Sequence, residues 1–498
     1  MPRRPPIASR PAGAVATGEP AGARLSAPLA ARVLALACIT AACAHRPRGA
    51  EPPRAWSYTV EDHGERWDVE LCFADARPPA LVAATAAAEV LIDPRDATTG
   101  AALDLTDGDA PRIDLAPMRG PCLTYGVDLT SAADGWPRRL PQLGDDRLVA
   151  NELWLWHPPR IAEDAAITAE FRAREGERVS TPWTPLGDGR YALPEAAVRW
   201  GSYTAVGDLE LHALEVAGGA LEVVVLDGPR RLTSAGLRRW LEAAGEAAAS
   251  LYGAFPRPHL QLLVVPVDGG DEPVIFGAVE RGGASIFLLI NGGAADDEFI
   301  GEWVAIHEIL HTGMPFVARG DAWLAEGFVT YYTEVVRART GLKTEEQAWQ
   351  ALFAGFRRGI HDVRGDATLS DASQAMGRLH AYSWVYWGGA AIALLSDVAI
   401  REASAGARSL DDGLRHLSRC CAQSSRRWTA DEILAEIDAW RGDAGIAPLC
   451  REVLATSGFD ELPALYRKLG VSVVDENLGV DDTAPLATLR RAIFAKVD

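Results

Sequence analysis

Residues 307–311 read H-E-I-L-H and residues 323–328 read W-L-A-E-G-F, and these two stretches decide how the sequence is interpreted. Side chains four positions apart lie one above the other on a helix face, so His307 and His311 can bind one metal ion. Glu308, beside the first histidine, can hold an attacking water. Catalytic zinc takes three protein ligands and keeps a fourth position open. Glu326, fifteen residues after His311, supplies the third, so the sequence predicts a zinc site formed by His307, His311 and Glu326. The alternative interpretation is a helix with two partly exposed histidines and a surface glutamate.

The residues around this motif alternate between helical and strand patterns. Periodicity predicts a helix over residues 232–253, strands over 259–267 and 284–290, and a Gly-rich segment between the strands. The motif helix is expected to begin at Asp296 or Asp297 and to end at Gly313. Asp321 is expected to cap the next helix, which runs to about Thr340.

The chain as a whole is predicted to be α+β, with a β-rich N-terminal lobe, a mixed lobe that carries the motif, and a helical C-terminal region. Short strands separated by turn residues occupy 56–227, including a hairpin over 209–226 that turns at residues 218–219. The mixed lobe is expected over 228–343 and the helical region over 344–498.

Composition limits the function classes. Nearly half of the 498 residues are hydrophobic (48%), which excludes wholesale disorder. The formal net charge of −19 is unfavourable for binding a phosphate backbone, so nucleic acid is not expected as a partner.

The first 43 residues have the pattern of an export signal. A basic, Pro- and Ala-rich leader precedes a ten-residue apolar stretch, residues 33–42, which is too short to span a bilayer. The small residues before Cys43 resemble a bacterial lipoprotein signal, in which that thiol takes the lipid. We expect an exported protein, either attached to a membrane through lipidated Cys43 or periplasmic or secreted, with a linker over 44–55. The alternative is an Arg-rich cytosolic tail.

Five cysteines follow the signal, and an odd number leaves one thiol free. Cys72 with Cys122, and Cys450 with Cys420 or Cys421, would suit an oxidising compartment. Spacing alone does not establish either bridge.

With these motifs the sequence resembles the gluzincin metallopeptidases, and within them the aminopeptidase N and glycyl aminopeptidase families. The W-L-A-E-G-F stretch followed by Tyr331 and Tyr332 carries the resemblance, and residues 225–425 are covered by it. It implies a thermolysin-like catalytic lobe over 228–343 and Glu326 as the third zinc ligand. The gap between His311 and Glu326 is shorter than in aminopeptidase N, and the C-terminus is too short for the PDZ domain usual in glycyl aminopeptidases.

Two further segments match these families in order. Residues 277–280, G-A-V-E, resemble the exopeptidase strand whose glutamate binds the α-amino group of the substrate, here Glu280, although Arg281 stands where the families have Asn or His. Residues 386–389, Y-W-G-G, resemble the segment that holds the transition-state tyrosine, here Tyr386. The alternative for Glu280 is a solvated loop glutamate in a Gly-rich turn. The alternatives for Tyr386 are a core aromatic, or Tyr382 or His380 in the catalytic role instead.

The function that follows is a zinc-dependent metallopeptidase acting on peptides, with Glu308 as general base, Tyr386 at the oxyanion and Glu280 at the substrate ammonium. An aminopeptidase is expected. The alternatives are a zinc endopeptidase, and a non-catalytic envelope lipoprotein that uses the same scaffold for binding. Oligomeric state is not predicted.

Overall fold

A five-stranded sheet separates the strand-rich and helix-rich parts of the molecule in this computed structural model. The structure describes residues 52–496 except 107–109, 131–143, 163, 364, 442–444 and 475–476. The predicted signal and Cys43 lie outside the described residues. The residues from Pro52 onward form one compact unit.

The first part of the chain is built almost entirely from short strands. Its elements are β1 Ala55–Asp62, β2 Arg66–Phe73, β3 Ala80–Val82, α1 Thr85–Val90, β4 Leu91–Asp96, β5 Leu105–Thr106, β6 Arg112–Asp114, β7 Cys122–Asp128, β8 Arg147–Ala150, β9 Ala166–Arg172, β10 Arg178–Ser180, β11 Thr184–Gly187, β12 Arg190–Leu193 and β13 Tyr203–Gly207. They form a seven-stranded sheet of order β11-β12-β9-β1-β2-β7-β4 and two three-stranded sheets, β10-β13-β8 and β3-β6-β5. Alternating buried residues in β1 and β2 form one face of a core that also contains Trp154, Trp156 and Trp183.

The middle of the chain forms the five-stranded sheet and the helices that carry the zinc motif. Its elements are β14 Glu210–Val216, β15 Gly219–Val225, α2 Ser234–Tyr252, β16 His259–Val267, β17 Val274–Glu280, β18 Ser285–Asn291, α3 Val304–Thr312 and α4 Ala322–Arg339. The sheet order is β14-β15-β16-β18-β17, and β17 runs antiparallel to β18 at one edge. The hairpin expected at residues 209–226 is β14–β15, and it pairs with β16. The first two strands of this sheet, β14 and β15, precede residue 228.

Both faces of this sheet are buried because its strands alternate between two cores. Leu260, Leu262 and Val264 pack against the helices, whereas Leu263 and Val265 pack into the core of the strand-rich part. Side chains of successive strand residues point to opposite faces. The two cores therefore share one sheet, which joins the strand-rich part of the chain to the part that carries the zinc motif.

The rest of the chain is mainly helical. Its elements are α5 Glu345–His361, α6 Leu369–Gln374, α7 Met376–Leu379, α8 Tyr382–Ala403, α9 Leu410–Cys420, α10 Ala430–Arg441, α11 Ala447–Leu454, α12 Leu462–Leu469, β19 Val471–Val474, β20 Asn477–Val480 and α13 Ala487–Phe494. Helix α8 is long and apolar enough to cross a membrane, but 72% of its most apolar window is buried inside the protein, as in a core helix. The predicted α+β class is confirmed.

The motif helix begins later than the sequence predicted, so a start at Asp296 or Asp297 is wrong. The Asp296 carboxylate instead accepts hydrogen bonds from the amide and hydroxyl of Thr233, at 2.8 and 2.6 Å, at the start of α2. Glu302 takes over the capping of α3, since its two oxygens accept from the amides of Val304 and Ala305 at 2.7 and 3.1 Å. A carboxylate is stabilised at a helix N-terminus by these free amides and by the helix dipole.

One of the two predicted disulfides is present, and the other is not. Cys72 and Cys122 lie opposite each other on β2 and β7 and form a disulfide. Cys450 is instead a free thiol, buried on α11 beside Ser396 of α8. Cys420 and Cys421, at the end of α9, are bonded to each other. The predicted bridge from Cys450 to this pair is therefore absent, because helix packing turns the Cys450 side chain toward α8.

Candidate functional site

Helices α3 and α4 bring the three predicted metal ligands together. The His307 and His311 Nε2 atoms are 3.1 Å apart, and Glu326 Oε2 lies 3.4 Å from the first and 3.2 Å from the second. Zinc bonds of about 2.0–2.2 Å at tetrahedral angles separate ligand atoms by roughly 3.3–3.6 Å. The observed separations agree with this within a few tenths of an ångström. Two imidazole nitrogens and one carboxylate oxygen are also a donor set that zinc accepts, so the residues fit the ion.

Thr333, about two turns after Glu326 on α4, sets the orientation of the His307 ring. Its hydroxyl donates to the Val329 carbonyl at 2.7 Å, so its oxygen is left to accept from His307 Nδ1–H at 3.4 Å. A proton held on Nδ1 leaves Nε2 with a free lone pair directed at Glu326 and His311. An outer partner of this kind commonly fixes the tautomer of a metal-binding histidine.

Glu308 is buried between α3 and the edge strand β17, with 9% of its surface exposed. Burial raises the pKa of its carboxyl group to about 7, with His307 and Arg281 opposing the rise and Glu326 adding to it, while the Val279 amide donates to it. Gly277 on β17 makes this approach possible, because a Cβ there would lie 2.6 Å from Val304 and 2.8 Å from the Glu308 side chain. The G-A-V-E segment and the motif helix are therefore in direct contact.

Glu326 has the opposite electrostatic environment. Burial favours the neutral form of its carboxyl group, but the imidazoles of His311 and His307 outweigh burial and hold its pKa well below the usual range. It is therefore an anion at neutral pH, as a carboxylate ligand must be.

Tyr386, on α8, lies beside the ligand cluster. Its ring is parallel to that of His307, at 5° and 6.1 Å between centroids. Burial raises the pKa of its phenol well above the usual value, and the carboxylates of Glu326 and Glu308 raise it further. The phenol is therefore a hydrogen-bond donor at neutral pH.

Close packing of α8 on α4 holds this tyrosine in place. Gly327 and Gly389 face each other so closely that a Cβ on either would overlap the backbone of the partner helix. Of the two rivals to Tyr386, Tyr382 is 49% exposed, and His380 ends α7 in the left-handed region (φ 50°). Neither lines the two cavities that contain His307.

Glu280, the last residue of β17, lies beside a second carboxylate that sequence reasoning missed. A Cβ built on Gly201 would be 3.8 Å from Glu280 Oε2 and 3.7 Å from Glu152 Oε2, so both carboxylates face one point. Burial raises the pKa of Glu280 to about 7, and Glu152 and Glu308 raise it further. Two acidic groups held this close favour a shared cation or proton.

Glu152 comes from the strand-rich part of the chain. It lies in a single helical turn, residues 151–153, which is anchored where the Asn151 amide donates to the Ser202 carbonyl at 2.8 Å. The signal available in the sequence is a lone charged residue in the mostly apolar run 148–156. Only the fold brings that run to Glu280.

Three cavities are lined by residues of this region. One of about 360 Å³ contains His307, Glu308, Tyr386 and the exposed edge of β17, and one of about 430 Å³ contains His307, Trp303 and Arg358. A third, of about 390 Å³, is lined by Glu280, Arg281 and Trp200. His307 therefore borders two of the cavities, and Glu280 borders the third.

Known structures resemble this chain in fold. No protein-family model matches it and no curated protein sequence is significantly similar to it. An aminopeptidase N family protein from Idiomarina loihiensis superposes with a TM-score of 0.65 and 17% identity, over 84% of this chain and 79% of that chain. An M1 zinc metallopeptidase from Deinococcus radiodurans gives a TM-score of 0.49 and 14% identity, over 81% and 93% of the two chains. A variant of that enzyme bound to a Tyr-Ser-Ala substrate gives 0.49 and 13%, over 81% and 94%. The first likeness shows that the chain has the fold of an aminopeptidase N family protein, as the motifs had suggested.

Proposed function

We propose that this chain, which has the fold of an aminopeptidase N family protein, is a zinc-dependent metallopeptidase that removes residues from the N-terminus of peptides. The observation that carries the proposal is the convergence of His307, His311 and Glu326 at 3.1–3.4 Å beside a buried carboxylate, Glu308. No buried structural role requires two imidazoles and a carboxylate to present their lone pairs to one point. A cation at that point satisfies all three.

Each residue near the ion has a chemical task in peptide hydrolysis. Zinc held by His307, His311 and Glu326 would supply Lewis-acid activation of a water and of the scissile carbonyl. Glu308 accepts the proton of the attacking water and passes it to the leaving amine, for which a pKa near neutrality is well matched. Tyr386 donates a hydrogen bond to the oxygen on which negative charge develops.

The edge strand and the acidic pair position the substrate. The outer edge of β17 carries the exposed side chains Ile275 and Phe276 and ends the sheet among the described strands, so an extended peptide can pair with it. Glu280 and Glu152 together bind the ammonium of the first residue. A blocked N-terminus would leave the partly buried carboxylate of Glu280 without the ammonium that it binds, which is unfavourable.

Metal analysis tests the core of this proposal. The purified protein is expected to contain stoichiometric zinc, to lose both zinc and hydrolysis of an alanine anilide on treatment with a strong chelator, and to regain both when zinc is returned. A folded, zinc-loaded protein that hydrolyses no aminoacyl substrate would instead support a binding protein with the same scaffold.

Tyr386→Phe is expected to lower kcat by roughly a hundredfold to a thousandfold, since one donor to the oxyanion is removed. KM and zinc content should change little, because the phenyl ring can keep its parallel packing on His307. Steady-state kinetics on the alanine anilide measures both parameters. Tyr382→Phe on the same helix is the matched control, and an equal loss in that variant would contradict the assignment.

The pH dependence of peptide turnover should reflect Glu280. Its pKa of about 7 means that the carboxylate is available to an ammonium only above neutrality, while the substrate α-amine loses its own proton above about pH 8. We expect kcat/KM to rise as pH increases through 7 and to fall above about 8. Glu280→Gln should lower kcat/KM by roughly tenfold to a hundredfold, mainly through KM. It should also make the acidic limb less steep, since only Glu308, whose pKa is also about 7, then still loses a proton over this range. Glu346→Gln, on exposed α5, is the control; an unchanged profile in Glu280→Gln would refute the role.

The proposal also includes predictions that rest on the sequence pattern. We assign the thermolysin-like catalytic lobe to residues 228–343, with the β-rich lobe over 56–227 and the helical region over 344–498. We also propose export to the cell envelope, with Cys43 as the lipidated residue. The Cys72–Cys122 disulfide supports an oxidising location.

A further inference from the structure

Arg281 lies at the wall of the cavity beside Glu280 and forms no ion pair with any residue that the structure describes. Its guanidinium lies over the Phe316 ring, 5.0 Å from the centroid. Among the described residues it forms no hydrogen bond and no ion pair, yet its nitrogens are not sealed from the cavity. Burial lowers its pKa to about 10. An arginine so enclosed usually has a carboxylate or phosphate to bind.

The surroundings of Arg281 favour an added anion. Arg257 lines the same cavity and lowers the pKa of Arg281, and two of its nitrogens are already held by the carbonyls of Thr312 and Ala422, at 2.9 and 2.7 Å. A third guanidinium, Arg427, lies 5.1 Å from the centroid of the same Phe316 ring. Two guanidinium groups over one aromatic ring, with a third in the cavity that this ring lines, stand out in a chain of net charge −19.

The carboxylates near Arg281 do not neutralise this local positive charge by pairing with it. Glu280, Glu308 and Glu326 all favour its charged form, but none forms an ion pair with it. Each has another task in the proposed function: Glu326 binds zinc, Glu308 accepts the proton of water, and Glu280 binds ammonium. Arg281 is therefore left to a group that the protein does not supply.

The position of the cavity indicates which part of a ligand can reach Arg281. Glu280 and Arg281 are consecutive and line the same cavity of about 390 Å³, together with Thr184, Ser424 and Ser425. In the proposed function the α-ammonium of a peptide lies at Glu280 and its chain pairs with β17 toward Glu308, so the side chain of its first residue is the part nearest this cavity. An acidic side chain places a carboxylate a few bonds from its own ammonium, as the Glu280–Arg281 pair requires.

We propose that Arg281 is a specificity-determining residue and that the enzyme prefers peptides whose first residue is Asp or Glu. This inference rests on the proposed function and names its substrate class. Arg281 binds the substrate side-chain carboxylate, and the hydroxyls of Thr184, Ser424 and Ser425 complete a polar pocket. Neutral residues of the same shape leave the guanidinium unpaired and bind more weakly.

The test compares glutamate with its uncharged isostere. Anilides of Glu, Gln, Ala and Arg are assayed with the zinc-loaded protein, and kcat/KM for Glu is expected to exceed that for Gln by roughly tenfold to a hundredfold. Arg281→Gln should bring the Glu-to-Gln ratio close to one, and Arg281→Glu should favour the Arg anilide. A ratio within one variant is insensitive to overall losses of activity. Arg426→Gln, at an exposed arginine paired with Glu432, should keep the wild-type ratio.

The outcomes separate this inference from the proposed function. Cleavage of Ala and Gln anilides at least as fast as Glu would overturn the role of Arg281 while the aminopeptidase stands. Cleavage of no anilide would overturn the proposed function. Calorimetric titration of the Glu308→Gln protein with free glutamate and glutamine then still tests Arg281, since tighter binding of glutamate that disappears with Arg281→Gln supports the pocket, and equal binding refutes it.

Discussion

Glu308→Gln is expected to lower kcat by roughly a hundredfold to ten-thousandfold, the range for loss of a general base, while zinc stays bound. The amide keeps the size of the side chain and can still accept from the Val279 amide, but it cannot take a proton from water. Because Glu308 does not belong to the ligand cluster, the metal content should equal that of the wild type.

Two measurements on this variant check the expectation. Turnover of an anilide gives the loss in kcat, and elemental analysis gives the zinc content. Glu242→Gln, an exposed carboxylate paired with Arg238 on α2, is the control for any effect of removing a negative charge. Loss of zinc from Glu308→Gln, or turnover close to that of the wild type, would contradict the assignment of Glu308 as the base.

Glu326→Ala is expected to weaken zinc binding by more than a hundredfold and to abolish hydrolysis in the absence of added zinc. Even outer partners of a metal ligand account for about 10–100-fold in affinity, so removal of a ligand should cost more. The variant keeps the two histidines 3.1 Å apart without the carboxylate that balances the charge of the ion.

Competition with a chromogenic chelator measures this loss of affinity. Circular dichroism reports whether the fold is retained, since Glu326 is on α4 and its carboxylate contacts the histidines of α3. Glu334→Gln, at a carboxylate of α4 that pairs with Arg337 and Lys343, is the matched control on the same helix. Wild-type zinc affinity in Glu326→Ala would refute the ligand assignment.

The sequence could predict those parts of the site that depend on the spacing of residues close together along the chain. Histidines four apart on a helix must share a face, and a carboxylate at the start of the next helix needs only a short turn to reach them. Strands β16 and β18 and the β14–β15 hairpin are likewise visible as apolar runs bounded by turn residues. These features depend on neighbours along the chain.

The parts that the sequence could not predict depend on contacts between distant segments. Glu152 reaches Glu280 only because the turn at 151–153 is anchored to Ser202 and the two cores share one sheet. The predicted start of α3 is wrong because the sequence offers several acidic residues as possible caps. Asp296 accepts a hydrogen bond from Thr233 of a distant segment, and Glu302 caps α3 instead. The cysteine pairing depended on which side of α11 faces α8, which spacing does not encode.

Arg281 illustrates a different limit. The sequence shows that it departs from the Asn or His of the families it resembles, but charge alone does not say whether it neutralises a neighbouring glutamate. Only the structure shows that the Arg281 side chain lies over Phe316 at the wall of a cavity, and this position suggests that it binds part of the substrate.

The most direct test of the aminopeptidase proposal uses matched peptide pools whose N-termini are either free or acetylated, with and without a zinc chelator, and mass spectrometry of the products. We predict stepwise removal of single N-terminal residues from the free pool alone, stopped by the chelator and restored by zinc. Internal cleavage of both pools would contradict the account, because the partly buried acidic pair of Glu280 and Glu152 would then have no role in selecting the N-terminus.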